Sequence, residues 1–311
     1  MGPGNSFECD AGNFYIGHQY TGIILYEKEG GGGIVGARRK AVWKRILLQV
    51  VLLLISLVII APLLIMLLGA FKNPTEVTSF NLDLPEKWLF ENFKAVIEQG
   101  KLLPAFWNSI FITLVSTAAT IMASSLAALV LARRNTGFSR FLYYFFFMGT
   151  IIPMQIMPTI RLFTVLDIYG GYLNVMILYT AINIPFSCFL YTGFIKGIPK
   201  VLDESAFIEG ASALQTYFHI ILPLLKPCNI TVLILLFTGI WNEINIPLYF
   251  LNNPAKRTLP LSVYQFFGMY GGSNWNLVFA DLTLAALPVV ILFLFMQKQF
   301  INGLTEGAVK G

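Results

Sequence analysis

Six long apolar runs, at 46–69, 105–132, 141–163, 173–195, 228–251 and 277–296, constrain this chain more than any other feature. The first, of about 24 mostly apolar residues, is long enough to cross a hydrocarbon layer about 30 Å thick. No water reaches backbone groups in such a layer, so a span must satisfy them within itself, as a helix does. The composition agrees: 56% of residues are hydrophobic and 12% charged, with a mean hydropathy of +0.71. Soluble domains carry about a quarter charged residues. The expected fold is an all-α polytopic membrane protein of six transmembrane helices.

The basic residues set the orientation. Arg38, Arg39, Lys40, Lys44 and Arg45 precede the first run, which places the N-terminus inside. Six crossings then bring both termini to the cytoplasmic side. On that threading, 14 of the 21 Lys and Arg residues fall inside and 7 outside. The formal charge of +5 is accounted for by this sidedness, not by a stripe for nucleic acid. Residues 1–37 are glycine-rich, lack a signal-peptide pattern and read as a flexible cytoplasmic tail. Residues 38–311 read as one transmembrane domain. Residues 70–104 form an outer loop with a short amphipathic piece around 88–97. Ser109, Thr113, Ser116, Thr117, Thr120, Ser124 and Ser125 in the second run suit close helix packing. Pro153 and Pro158 predict a kink in the third. Cys188 and Cys228 fall in apolar runs as small hydrophobes; with Cys9, His18 and His219 they make no metal-ligand pattern. No phosphate-cradling loop and no nucleophile–base signature appear. The chain is expected to catalyse nothing and to bind no metal or cofactor.

Between the fourth and fifth runs lies a polar island, residues 197–223. Pro199 suits a first helical position, and Asp203 and Glu204 sit where the helix dipole favours acids. Gly210 can take the left-handed conformation that ends a helix. Ser212 with Gln215 forms a capping box that starts another, and Pro223 closes it. This helix–Gly–helix suits insertion into a partner's groove; the plain alternative is an amphipathic loop on the membrane surface. A second feature interrupts the fifth run: Trp241, Asn242 and Glu243. An ionisable group within a span is a functional candidate, unless it lies at the outer interface within reach of water. Amides, an acid and an aromatic face suit a polyhydroxylated solute. Gln155, Tyr179 and Asn183 are further candidates for its path.

Glu204-Ser205-Ala206, with Gly210-Ala211-Ser212 and the downstream Ile220-x-Leu222-Pro223, resembles the "EAA" loop of ABC importer permeases. Ser205 departs from the usual second residue, and Glu209 stands where Asp is usual. Phe237, Trp241-Asn242, Pro247-Leu248, Thr258-Leu-Pro260, Trp275 and Pro288 resemble the carbohydrate-uptake branch of that family. So does the terminal Gly307-Ala308-Val309-Lys310-Gly311, and the nearest likeness is to maltose-type G subunits, over about residues 40–311. The resemblance implies half of a channel in a bacterial inner membrane, paired with a second homologous permease. It also implies two cytoplasmic ABC ATPase subunits that hold ATP and Mg, an extracellular solute-binding protein, and a sugar as solute. Asp203, Glu204, Ser205, Ala206, Gly210, Ala211, Ile220, Leu222 and Pro223 would form the ATPase-coupling loop. Gly307, Ala308, Val309 and Lys310, within a tail at 302–311, would also touch the ATPase. Two alternatives stay open: import of a polyamine, phosphate ester or amino acid, and ion-coupled transport through Glu243 and Asp281.

Overall fold

The computed structural model describes residues 33–267 and 274–308, and every regular element among them is helical. The described residues divide at Leu63 and Leu64. The first unit is most of a single long helix, α1 (Gly33–Gly69), whose side chains from 43 to 60 are all exposed. This helix begins well before the predicted span, so the basic cluster lies on helical backbone and the boundary expected at residue 37 falls inside it. The remainder of the predicted tail lies outside the described residues.

The second unit holds α2 (Glu91–Gln99), α3 (Leu102–Arg133), α4 (Gly137–Gly149), α5 (Ile156–Val165) and α6 (Tyr172–Lys196). It continues with α7 (Val201–Ile208), α8 (Ala213–Leu224), α9 (Lys226–Trp241), α10 (Asn245–Phe250), α11 (Leu259–Ser262) and α12 (Trp275–Ala308). Among the described residues, four helices are long and apolar enough to cross a membrane: α3, α6 and segments Trp43–Gly69 and Trp275–Phe295.

The third and fifth predicted spans depart from expectation. Run 141–163 does not kink; it breaks into α4 and α5, with Pro153 in the non-helical link. The residue before a proline is disfavoured in helical conformation, which ends the ladder ahead of Pro153. Pro158 falls in the first turn of α5, where its missing N–H removes no bond. Run 228–251 divides into α9 and α10 at residues 242–244, and α8 meets α9 at a 77° bend.

The most extensive helix pair is α3 with α6. All seven hydroxyl residues singled out in α3, from Ser109 to Ser125, are buried. Thr120 donates to the Ser116 carbonyl at 2.7 Å, and Ser124 and Ser125 donate back to Thr120 and Ile121 at 2.5 Å. Three of the seven hydroxyls thus bond to their own helix, Ser116 and Thr117 are buried without a partner among the described residues, and the small side chains leave room for close approach. From α6, Ser187, Cys188 and Thr192 complete the seam, all buried. At its outer end, Asn108 donates to the carbonyls of Ala255 and Arg257 and accepts from the Tyr172 hydroxyl. Ser109 accepts from the Leu259 N–H at 2.7 Å, and Asn174 donates to the Phe250 carbonyl at 3.0 Å. These bonds tie the segment 250–259 to the ends of α3 and α6.

Enlarging the seam separates packing from hydrogen bonding. Thr120→Leu is expected to cost about 1–3 kcal/mol through overpacking, and Ser124→Ala well under 1 kcal/mol because its bond is local. Thermal unfolding in detergent, followed by intrinsic fluorescence, should show a clear drop for the first and almost none for the second.

Candidate functional site

The helix–Gly–helix island forms as two short helices whose roots are buried and whose outer side is exposed. Helix α7 carries Asp203 and Glu204 in its first turn and ends where Gly210 adopts φ +87°. The Gly210 N–H bonds to the Phe207 carbonyl and the Ala211 N–H to the Ala206 carbonyl, each at 3.0 Å. This is the paired arrangement of a left-handed helix end. A Cβ on Gly210 would meet nothing within 4 Å, so its outer side is open. Ser212 accepts from the Gln215 N–H and the Gln215 side chain accepts from the Ser212 N–H, the predicted capping box. Two details differ. Pro199 lies just before α7, in a turn whose carbonyl accepts from Leu202, so the cap falls to Lys200. Pro223 does not end its helix: a π-helical segment, Tyr217–Ile221, precedes it, α8 runs to Leu224, and the buried Leu225 marks the bend into α9.

The inward face holds Ala206, Tyr217 and Ile221, all buried, and the Tyr217 hydroxyl meets Ser125 Oγ of α3 at 2.7 Å. The outward face holds Phe207 at 79% exposure, Ile208 at 84% and Leu214 at 62%. These three large apolar side chains form the exposed crest of the island. Glu204, Ser205 and Pro223 are exposed beside them, with Ala211, Ile220 and Leu222 half-buried.

Asp203 turns the other way. Its Oδ2 lies 2.5 Å from Arg133 Nε at the end of α3, and both side chains are largely covered. Arg133 also donates to the carbonyls of Ile198 at 2.9 Å and Ile195 at 3.4 Å. One guanidinium therefore pins the end of α6 and the start of α7 to the end of α3. In sequence Arg133 reads only as a positive-inside residue; the pairing is invisible because 70 positions separate the partners.

The second candidate set does not converge on one side. Trp241 is 1% exposed, stacked on Phe237 with ring centroids 5.5 Å apart, and its Nε1 donates to the Ala285 carbonyl. It is a core residue, not an open aromatic platform. Tyr179 is likewise buried. Glu243 is half-buried, and its Oε1 accepts from the Asn245 N–H at 2.6 Å and the Ile246 N–H at 3.4 Å. It thereby caps α10, supplying acceptors to the donors that the break in the span exposes. Asn183 is half-buried and donates to the Tyr179 carbonyl, four residues back. Asn242 and Gln155 are exposed, each at a break between helices. Gly307 and Ala308 lie on the helical backbone of α12, whereas Val309 and Lys310 lie outside the described residues. Cys188 and Cys228 are free and buried, and no metal-binding group of side chains occurs among the described residues.

Comparison with known proteins adds to this geometry. Residues 121–306 match the family model of the binding-protein-dependent transport system inner membrane component. The chain is 35% identical over 252 residues to a probable starch degradation products transport system permease of Thermoanaerobacterium thermosulfurigenes, covering 80% of this chain and 91% of the relative. It is 37% identical over 238 residues to the melibiose/raffinose/stachyose import permease of Bacillus subtilis, covering 74% and 86%. Among solved structures, one chain of a bacterial ABC transporter that imports the acidic polysaccharide alginate superposes with a TM-score of 0.76. That match covers 84% of this chain and 98% of the other at 18% identity, and so speaks for the fold alone.

The Arg133–Asp203 pair generates its own test. Asp203→Ala should loosen the root of α7, costing about 1–2 kcal/mol, because the pair is largely but not wholly covered. Hydrogen exchange should quicken at the amides of 202–205 while those of the α3–α6 seam stay protected. Equal protection in both proteins would remove Arg133 as the anchor.

Proposed function

We propose a function for this chain from the family to which it belongs, the inner membrane components of binding-protein-dependent transport systems. It is the permease subunit of an ATP-binding-cassette importer for sugars, a transport component and a multi-pass membrane protein. Oligosaccharides or glycosides are the solutes that the names of its relatives favour. The observation that carries the coupling role is the exposed apolar crest of Phe207, Ile208 and Leu214 on a buried, anchored root.

The finer assignment extends that reading. A second homologous permease completes the path, two cytoplasmic ATPase subunits with ATP and Mg drive it, and an extracellular binding protein delivers the sugar. A solved bacterial alginate ABC transporter in complex with its alginate pentasaccharide-bound periplasmic protein, one chain of which superposes with a TM-score of 0.59, supports such delivery. The membrane is a bacterial inner membrane. The crest enters a groove of the ATPase, with Glu204 as a charged contact and Gly307–Gly311 reaching the same partner. Rigid-body motion of the ATPase dimer then moves the spans through the crest. In the solute path, Asn242 and Gln155 offer exposed amides to sugar hydroxyls; Trp241 shapes the wall from behind.

Gly210 separates docking from folding. Asn tolerates the left-handed conformation better than other non-glycine residues, so Gly210→Asn should fold with a loss of about 1 kcal/mol. Gly210→Asn and Gly210→Asp should nonetheless cut sugar-stimulated ATP hydrolysis at least about ten-fold (~1.4 kcal/mol of coupling), measured on the reconstituted importer in lipid vesicles. Full stimulation in both variants would end the docking assignment. Removing the last five residues should lower the ratio of sugar transported to ATP hydrolysed, and an unchanged ratio would dismiss the tail contact.

A further inference from the structure

A cavity of about 640 Å³ opens where α3 and α6 end and α4 begins, and the coupling role leaves it unused. Its wall carries Arg133, Arg134, Arg140, Lys196 and Lys200, together with Tyr143 and Tyr144, and no acidic side chain lines it. Asp203 pairs with Arg133 from the far side, and no other ion pair among the described residues reaches the wall. Lys196 sits 5.3 Å from the centre of the Tyr143 ring. Four cations thus share one concavity without a counter-charge, a geometry that concentrates positive potential and attracts an anion.

We propose that this cavity binds the phosphate headgroup of an anionic phospholipid. The class of ligand follows from where the cavity lies and what adjoins it. Helices α3 and α6 are each long enough to cross a bilayer, and both end here, at the level where headgroups lie. From the mouth of the cavity, α4 continues with Phe138, Phe141, Tyr144 and Phe145, all exposed. Tyr144 belongs to both surfaces, lining the cavity and standing in the aromatic row. A phosphodiester with acyl chains satisfies the cations and the row together. A free phosphate satisfies only the cations. Basic pockets between membrane helices on the cytoplasmic side are the known form of such sites.

The test uses the full chain in phosphatidylcholine nanodiscs doped with spin-labelled phosphatidylglycerol or spin-labelled phosphatidylcholine. Wild type should immobilise the anionic probe with a preference of about ten-fold or more, since each near-surface cation contributes several-fold. Arg134→Gln/Arg140→Gln/Lys196→Gln should reduce that preference to about two-fold or less. These cations are exposed and leave the Arg133 anchor intact, so circular dichroism and monodispersity should not change. A control with the same loss of charge, Lys40→Gln/Lys44→Gln/Arg45→Gln, should lose distinctly less of the preference than the cavity variant. Excess inorganic phosphate or glycerol phosphate, at matched ionic strength, should not displace the probe. The proposal is overturned if the cavity variant keeps the preference, if the control loses it equally, or if free phosphate displaces the lipid. It is also overturned if wild type shows no preference while the cavity variant fails to assemble with its ATPase, which would assign the cavity to a protein partner.

Discussion

The close seam between α3 and α6 is the constraint on which the rest of the second unit depends. In lipid, helices gain little from burying apolar surface against each other, so association rests on shape and on polar groups that are already satisfied. The stripe from Ser109 to Ser125 supplies the shape through its small side chains, and three of its hydroxyls are bonded to their own helix. Each functional part then hangs from one end of this seam. Arg133 at one end holds the root of α7. Asn108 and Ser109 at the other hold the segment that follows α10.

The crest combines two demands that usually conflict. On the proposed coupling role its outer side chains must stay apolar and exposed, yet an exposed apolar helix pair would otherwise fold back on its own protein. Local chemistry prevents this. Gly210 at φ +87° and the capping box at Ser212 and Gln215 fix the angle between α7 and α8 without tertiary help. Tyr217 and Ile221 then fill the inward side, so the outward side has nowhere within the chain to bury. The π-helical turn between them adds one residue per turn where α8 must both seat Tyr217 against Ser125 and reach the 77° bend at Leu225.

Much of this was legible because it is local. The capping box, the left-handed glycine and the hydroxyl stripe each follow from residues within four positions of one another. What escaped was of three kinds. Spans that are apolar all round carry no periodicity to say which side faces the protein, so Trp241 read as a solute platform although it is stacked in the core on Phe237. The Arg133–Asp203 pair joins distant positions, and a basic residue at the end of a span already has a sufficient explanation in topology. The prolines of the third run illustrate a third limit. Two prolines within one span signal disturbance, but whether the helix bends or parts depends on the turn each occupies.

The carboxylates within the spans bear on how the transport is powered. A proton or sodium relay needs acids that can exchange partners as the ion moves. Glu243 instead accepts the backbone donors at the start of α10, and Asp281 is buried against the Ser262 hydroxyl at 2.9 Å. Ser262 lies in α11, next to the loop that Ser109 holds, so Asp281 helps join α12 to the outer end of the seam. Both acids therefore serve the breaks and junctions that irregular backbone creates inside a membrane protein. The proposed importer needs no ion relay within the spans, and on that reading the anchored crest is where an outside driving force would enter.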